Sequence, residues 1–527
     1  MHVNADDPAA WLHAVRLGIE YRERFGKDFL IDLVGYRRHG HNETDEPAFT
    51  QPALYANIRN HPSPVKVWAA RLVAEGTVTE QDVAQIESEV FANFERIQSE
   101  MKASKESADA PPAKKPQHFA EAVPDTAVRG ELLAAINEQM LSWPADIKVN
   151  SRLARTLARR RDALGEQGGI DWGHAEALAF GSLLTERYSV RLTGQDVERG
   201  TFSHRQAVLH DSESGTIYIP LQHLNQSSTL GAFEVYNSPL SETAVLGFEY
   251  GYSTAAERTL VLWEAQYGDF VNVAQPVIDQ FIVADRAKWG QDSGLVMLLP
   301  HGYEGGGPEH SSARLERFLQ LCGEGNMRVA YPSTPAQYFH ILRRQMRLDP
   351  RRPLVLMQPK SLLRLPEAAS KLSELTSGGF RAVIDDAAVS DRGEVKRLVF
   401  CTGKIYYDLL PVRAPHIALV RIEELYPWPG NEVAGIVDIY PSLEEVVWVQ
   451  EEPKNMGAWS YAAPRLRVST GNALVMRYIG RPDRASPAEG YAEAHKREQD
   501  RIVAEVGAPM QQPTGAGTKR RGVAMKS

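Results

Sequence analysis

The sequence predicts an α/β protein built from parallel sheets flanked by helices, and three observations carry that reading. A crossover unit stands clear: MRVAYPS has the pattern of a strand, Thr334 suits an N-cap with Pro335 at the first helical position, a helix runs through Arg347, and PLVLMQP makes the next strand. From Lys396 onward four short apolar strands, VKRLVFC, IALVRI, EEVVWVQ and ALVMRYI, are separated by helical or loop segments. The chain also opens on a helix followed by an apolar run, DFLIDLV.

In chain order, Asp7 is placed to cap a helix that starts at Pro8 and that Gly26 can close. Asp28 to Val34 has the composition of a buried strand, and Gly35 leads into the polar loop YRRHGHNETDEP. One helix and one strand cannot make a parallel sheet, so the remaining strands, with any chemistry they carry, are expected on another chain or outside this one. Residues 65–100 are helical in pattern, and 102–118 has the Lys, Ala and Pro bias of an exposed linker. A second helical stretch ends in RLARTLARRRDALGE. Strands and helices then alternate from GGIDW to about residue 365 and again from Lys396, while the last residues, QQPTGAGTKRRGVAMKS, have a disordered composition. The expected division is 1–64 (end of an α/β domain), 65–168 (helical linker region), 169–375 (main α/β domain), 376–508 (C-terminal α/β domain) and 509–527 (disordered tail).

With 527 residues and 43% hydrophobic content, the chain can bury several cores. A formal charge of −8 leaves no basic footprint for nucleic acid. The two cysteines, Cys322 and Cys401, lie far apart in apolar contexts; this excludes a disulfide framework and a cysteine-based metal site, and fits a reducing compartment. No apolar run approaches the length of a membrane span, and the first residues lack the build of a signal peptide.

Three stretches could carry chemistry. The loop Tyr36 to Pro47 gathers Arg37, Arg38, His39 and His41 beside Glu43, Asp45 and Glu46 at what should be the carboxyl end of a parallel strand, where ligands bind in such sheets. In GAFEVYNSPLSETAVLGFEYGYS a helix is expected to start near Ser238 or Ser241, which puts Glu242 in its first turn beside the apolar face Val245, Leu246 and Phe248. A carboxylate there can be partly desolvated and donate a hydrogen bond when protonated. In PHGYEGGGPEHSSAR three consecutive glycines allow close backbone approach to a ligand, His301 and His310 flank the loop, and Ser311 can cap the next helix. No GxxxxGK[ST], GxGxxG, GxSxG or HExxH pattern supports an ATP, dinucleotide or common hydrolase site near these stretches.

Between residue 2 and about residue 505 the chain resembles the carboxyl-terminal portion of the thiamine-diphosphate-dependent decarboxylase component of the 2-oxoglutarate dehydrogenase complex. The resemblance rests on IDLVGYRRHGHNETDEP, LTGQDVERGTFSHRQAVLHD, SPLSETAVLGFEYGYS, LWEAQYGDFVNVAQPVIDQFI, PHGYEGGGPEHSSARLERFLQLC, QPKSLLR, VWVQEEPKNMGAW and YIGRPDRASPAEGY, in that order. It implies a transketolase-like, thiamine-diphosphate-binding fold. Residues 1–64 would end the diphosphate-binding domain, 169–375 would form the pyrimidine-binding domain and 376–508 the C-terminal domain. It further implies that Glu242 is the catalytic carboxylate on the aminopyrimidine, that Phe248 and Tyr252 neighbour that ring, that His310 (catalytic) and His301 belong to the substrate pocket, and that His39 and His41 border the cofactor entrance. Lys360, Arg364 and Lys404 are candidate contacts for the phosphates of an effector. Gly306 stands where the family pattern has Gln, which implies a more flexible loop.

The implied activity is oxidative decarboxylation of 2-oxoglutarate in the tricarboxylic acid cycle, with transfer of the succinyl group to a lipoyl carrier. The alternatives are a decarboxylase for another 2-oxo acid, such as 2-oxoadipate, or a non-catalytic assembly or regulatory subunit. The implied cofactors are thiamine diphosphate and Mg2+, with the metal ligands outside this chain, so the chain alone is expected to be inactive. The implied partners are a second copy or a complementing chain and the lipoyl-bearing succinyltransferase component; neither nucleic acid nor membrane is among them. The implied location is cytoplasmic, or the mitochondrial matrix in a eukaryote.

Overall fold

A computed structural model describes residues 1–107, 124–226, 231–471 and 474–509. The chain divides into two compact units, Met1–Lys115 and Pro116–Ser527. The expected disordered tail and most of the expected linker lie outside the described residues, and the stretch 102–107 is helical rather than an exposed linker.

In the first unit, β1 (His2–Asn4) runs parallel to β2 (Asp32–Val34), with Val3 opposite Leu33, and α1 (Pro8–Phe25) connects them. The Asp7 side chain accepts from the Ala10 amide at 3.2 Å, and Gly26 closes α1 in the left-handed conformation at φ 58°. One strand more than expected is present: β1, too short for sequence periodicity to reveal, pairs with β2, and the sheet has two strands among the described residues. One expectation is corrected, since β2 is exposed along its length rather than buried. Three helices follow: α2 (Pro52–Asn60), α3 (Pro64–Ala74) and α4 (Glu80–Ser107).

The second unit begins with α5 (Gly130–Met140) and α6 (Ser151–Asp162), so the helical stretch 65–168 is shared between the two units. Helix α7 (Trp172–Thr185), capped by Asp171 on the His174 amide, leads into β3 (Ser189–Gly194). A short antiparallel pair follows, β4 (Leu209–His210) with β5 (Ile217–Tyr218), and then β6 (Phe233–Asn237), α8 (Glu242–Ala255) and β7 (Thr259–Glu264). The short helices α9 (Gln275–Val277) and α10 (Asp285–Trp289) lead to β8 (Val296–Pro300), α11 (Leu315–Leu321) and β9 (Arg328–Ala330). The crossover read from sequence is present as α12 (Pro335–Arg347) and β10 (Leu354–Gln358), with Thr334 accepting from the Gln337 amide. Ser311 does not cap α11. Arg314 occupies that position at φ 57°, and the Ser311 hydroxyl donates to the Gly307 carbonyl at 2.6 Å.

The remaining elements are α13 (Leu372–Thr376), β11 (Val383–Ile384), β12 (Arg397–Cys401), α14 (Ile405–Leu409), β13 (Ile417–Ile422), β14 (Glu424–Tyr426), α15 (Gly430–Asp438), β15 (Glu445–Pro453), α16 (Trp459–Ser469), β16 (Val475–Arg481) and α17 (Ala492–Gly507). Two main sheets result. The larger has the order β14-β9-β10-β8-β7-β3-β6 and is parallel except for β14; the smaller has the order β11-β13-β12-β15-β16 and is parallel except for β11.

Both sheets are covered on both faces, which is why their strands are continuously apolar rather than alternating. Along β7, β8 and β10, Leu262, Leu298 and Leu356 enter one core with Phe180 and Phe339, whereas Val261, Met297 and Val355 enter a second. That second core also takes Leu398 and Phe400 of β12 and Trp448 of β15, so the two sheets share one apolar layer. Each such buried side chain is worth roughly 1.5–3 kcal/mol. Among the described residues no helix is long and apolar enough to cross a membrane.

Candidate active site at the carboxyl edge of the larger sheet

Because β6, β3, β7, β8 and β10 are parallel, the segments that leave their carboxyl ends meet along one edge of the sheet, the edge where α/β proteins bind ligands. Those segments carry Glu242 after β6, Arg205 after β3, Tyr267 and Asp269 after β7, the loop from His301 to His310 after β8, and Lys360 after β10.

Glu242 is the first residue of α8 and is half-buried. No described residue hydrogen-bonds or pairs with its carboxylate, and the helix N-terminus favours negative charge there. The next residue fixes the helix start, since the Thr243 hydroxyl donates to the Val273 carbonyl at 2.7 Å and so ties α8 to the segment after β7.

That segment holds an aromatic group that sequence reasoning missed. Tyr267 stacks on the His310 imidazole with centroids 4.1 Å apart, meets Phe202 edge-on at 5.6 Å and Phe270 edge-on at 6.0 Å. The only sequence signal was the Tyr-Gly-Asp-Phe run, whose aromatics converge once Gly268 to Ala274 winds as a tight helical turn. His310 is further held through Nδ1 and the Gly306 carbonyl at 3.2 Å.

Beneath the edge lies a charge cluster that the sequence reading also missed. The buried Arg205 guanidinium bridges Glu176, at 2.5 Å, and Glu264, while the Tyr338 hydroxyl donates to Glu176 at 2.6 Å. Burial alone would push the Glu176 carboxyl up, but Arg205 outweighs it and holds the group below its ordinary range. Asp269 is pushed up by burial; one of its oxygens accepts from the Ser312 amide at 3.1 Å and the other has no partner among the described residues.

His301 is buried. Its Nδ1 accepts from the Ala313 amide at 3.0 Å, so the ring proton sits on Nε2 and is donated to Glu452 of β15 at 2.8 Å. Phe248 and Tyr252 lie further along α8, where the Arg191 guanidinium stands 5.4 Å and 4.6 Å from their ring centroids and pairs with the buried Glu249. Phe248 is 60% exposed, and no ring contact joins the pair to Tyr267 among the described residues.

The three cations expected to gather round a phosphate spend hydrogen bonds inside the fold. Lys360 donates to the carbonyls of Gly302 and His310, Arg364 to those of Phe202 and Ser203, and Lys404 pairs with Asp408 and Glu451, each at 2.6 Å.

In the first unit, His39 and His41 are exposed on the expected polar loop, which bends round a contact from the His41 amide to the Asp45 carboxylate at 2.6 Å. Arg38 donates there to the Tyr36 hydroxyl and the His61 carbonyl, at 2.8 and 2.9 Å. No group of three or more His, Cys, Asp or Glu side chains could hold a metal among the described residues.

Comparison with known families assigns all three parts of the chain. Residues 1–112 match "Dehydrogenase E1 component", 168–366 match "Transketolase, pyrimidine binding domain" and 369–506 match "2-oxoglutarate dehydrogenase C-terminal". The 2-oxoglutarate dehydrogenase E1 component of an Exiguobacterium species is 51% identical over 98% of this chain and 55% of its own length. Those of Geobacillus kaustophilus and Bacillus subtilis are each 50% identical, over 95% and 96% of this chain and 54% of their own lengths. The chain spans about half the length of the curated relatives it matches. With a polar carboxylate, an aromatic cluster and a glycine loop gathered at one sheet edge, and with relatives of a single name across its whole length, the chain belongs to the 2-oxoglutarate dehydrogenase E1 component family.

Proposed function

We propose that this chain contributes the pyrimidine side of a thiamine-diphosphate site that decarboxylates 2-oxoglutarate and passes the succinyl group to a lipoyl carrier. The observation that carries the reading is the Glu242 carboxylate, without a partner among the described residues, opening α8 at the sheet edge where Tyr267, Phe270 and His310 collect. These residues fit an aminopyrimidine: the ring takes stacking from an aromatic face, and its nitrogens take a hydrogen bond from a carboxyl group. Bound there, thiamine diphosphate supplies the electron sink that lets a 2-oxo acid lose carbon dioxide.

The chain's own residues do the rest. With the cofactor bound, Glu242 would exchange a proton with a nitrogen of its pyrimidine; Tyr267 holds His310 in place by stacking; and His310, its Nδ1–H donated to the Gly306 carbonyl, presents Nε2 to the substrate as an acceptor. Glu176, Arg205 and Glu264 keep the loops after β3 and β7 in register beneath the site. No described residue is assigned to Mg2+, and no role is assigned to Phe248, Tyr252 or the loop of His39 and His41. The partners proposed with this function are a second copy or a complementing chain and the succinyltransferase component. A cytoplasmic location goes with it, since the curated relatives are bacterial.

The test is ferricyanide-coupled oxidation by the enzyme assembled with this chain, offered 2-oxoglutarate and 2-oxoadipate in parallel. Thiamine-dependent turnover that prefers 2-oxoglutarate and is lost in Glu242→Gln is expected. Turnover indifferent to Glu242→Gln would overturn the reading.

A further inference from the structure

We infer that Lys360 is a positioning residue for His310, acting as a clamp that ties together the two ends of the loop from Gly302 to His310. The inference rests on the proposed role of His310 toward the 2-oxo acid. Inside the loop the Gly302 amide donates to the Ser311 carbonyl at 3.0 Å, the Ser311 hydroxyl to the Gly307 carbonyl at 2.6 Å and the His310 ring to the Gly306 carbonyl at 3.2 Å, but its backbone is intrinsically pliable. Gly302, Gly305 and Gly307 have φ of 147°, 76° and 94°, which only glycine adopts without strain, and a single short helical turn, Pro308–His310, is its only regular structure. Three internal contacts close the loop, and holding it against the sheet edge falls to what grips it from outside.

The grip comes from the dipeptide that follows β10. The Lys360 ammonium donates to the Gly302 carbonyl at 2.8 Å and to the His310 carbonyl, the two ends of the loop, while Ser361 donates to the Glu304 carboxylate from its amide at 3.0 Å and its hydroxyl at 2.7 Å. The charge is not spent on an ion pair, for no described carboxylate lies within salt-bridge reach of the ammonium. Burial accordingly lowers the Lys360 pKa, with Glu304 and Asp269 opposing the shift from further off. A lysine withdrawn from water to serve two loop carbonyls carries an electrostatic cost, and what the fold obtains for it is a closed loop with the His310 ring seated on Tyr267. Without the ammonium both carbonyls lose a donor at once, and the loop, still closed by the Gly302 amide on the Ser311 carbonyl, loses its tie to the segment after β10 and can shift His310 along the sheet edge.

The experiment compares wild type with Lys360→Met, which keeps the volume and removes the donor, and with Lys360→Cys before and after alkylation by 2-bromoethylamine, which rebuilds a lysine-like ammonium. Wild type is alkylated in parallel to control for Cys322 and Cys401. Amide hydrogen exchange over residues 302–311, the thermal midpoint, and kcat and KM for 2-oxoglutarate in the assembled enzyme are read together. Exchange in the loop should rise at least about tenfold and kcat/KM should fall on the order of 100-fold, with most of the loss in kcat, because a displacement near 1 Å costs about that much. Alkylated Lys360→Cys should recover both. Unchanged loop exchange would overturn the inference, as would a loosened loop with normal kcat and KM or a failure of alkylation to restore either. If Lys360→Met does not fold, the alkylated and unalkylated Cys pair decides. Absence of turnover in wild type would instead count against the proposed function, while the exchange measurement would still decide whether Lys360 holds the loop.

Discussion

The His301 imidazole links the entry of the glycine loop to the smaller sheet: its Nε2 donates to the Glu452 carboxylate at 2.8 Å while its Nδ1 accepts from the Ala313 amide at the loop's far side. Burial opposes the Glu452 charge, but the His301 hydrogen bond outweighs it and holds the carboxyl below its ordinary range. A depressed carboxyl adds stability that is complete above its unfolded pKa and is lost as pH falls through the folded value. The contact should therefore weaken as pH drops below about 4.5, the ordinary glutamate value. Glu452→Gln keeps an acceptor and should flatten that acid limb, whereas Glu452→Leu strands the imidazole N–H and should cost about 1–3 kcal/mol at neutral pH. Urea titrations at several pH values test both, and an unchanged acid limb in Glu452→Gln would contradict the assignment.

Glu242→Gln should reduce turnover by roughly 100-fold or more, the usual size of a general acid–base contribution. Its effect on folding should be small, about 0.3–1 kcal/mol from the lost charge at the start of α8. Steady-state rates and denaturant midpoints measured on one preparation separate the two.

His310→Ala should lower turnover far more than the thermal midpoint, because the ring sits on a loop and stacks on one side of Tyr267 rather than filling a core. A large fall in the midpoint with a normal rate per folded molecule would make it a packing residue.

Gly306 and Gly307 should respond in opposite directions. Gly306 has no positive φ, and a Cβ there would meet the His310 Cβ at 3.4 Å and the His310 carbonyl oxygen at 3.9 Å, both ordinary contacts, whereas Gly307 sits at φ 94°. Gly306→Ala, and by extension the family's Gln, should stabilise the loop by about 0.4–1 kcal/mol through a less flexible unfolded chain, while Gly307→Ala should destabilise it. Thermal midpoints and loop amide exchange give the signs.

Arg205→Met should be the most damaging of these substitutions, at roughly 3–5 kcal/mol, because Glu176 and Glu264 would both remain buried without their partner. Replacing all three by apolar residues should recover part of that loss.

The legibility of the chain followed the range of the interactions involved. Helix α1 and helix α12 could be read because Asp7, Gly26, Thr334 and Pro335 act within one turn of themselves. Strand β1 could not, since three residues carry no period, and β2 was misread as buried because composition does not report what covers a strand. Glu242, His301 and His310 were picked out by local pattern and family resemblance, and the sheet brings the segments that carry them to one edge. Tyr267 escaped notice because its neighbours Phe202 and His310 lie 65 and 43 residues away in sequence and meet it only after β3, β7 and β8 align. The partners of Lys360 were beyond sequence reading for the same reason, as the carbonyls it serves lie on a loop 50 and 58 residues away.

Strand β14 has a consequence for any attempt to work with the parts separately. It leaves the C-terminal segment to pair antiparallel with β9, and its Glu424 receives both Arg328 of β9 and Arg344 of α12. A fragment cut near residue 375 would therefore carry an open strand edge and two guanidinium groups with their shared carboxylate removed, a surface prone to aggregate. Proteolytic nicking between β11 and β12, by contrast, should leave two pieces that travel together through a sizing column and melt in one transition.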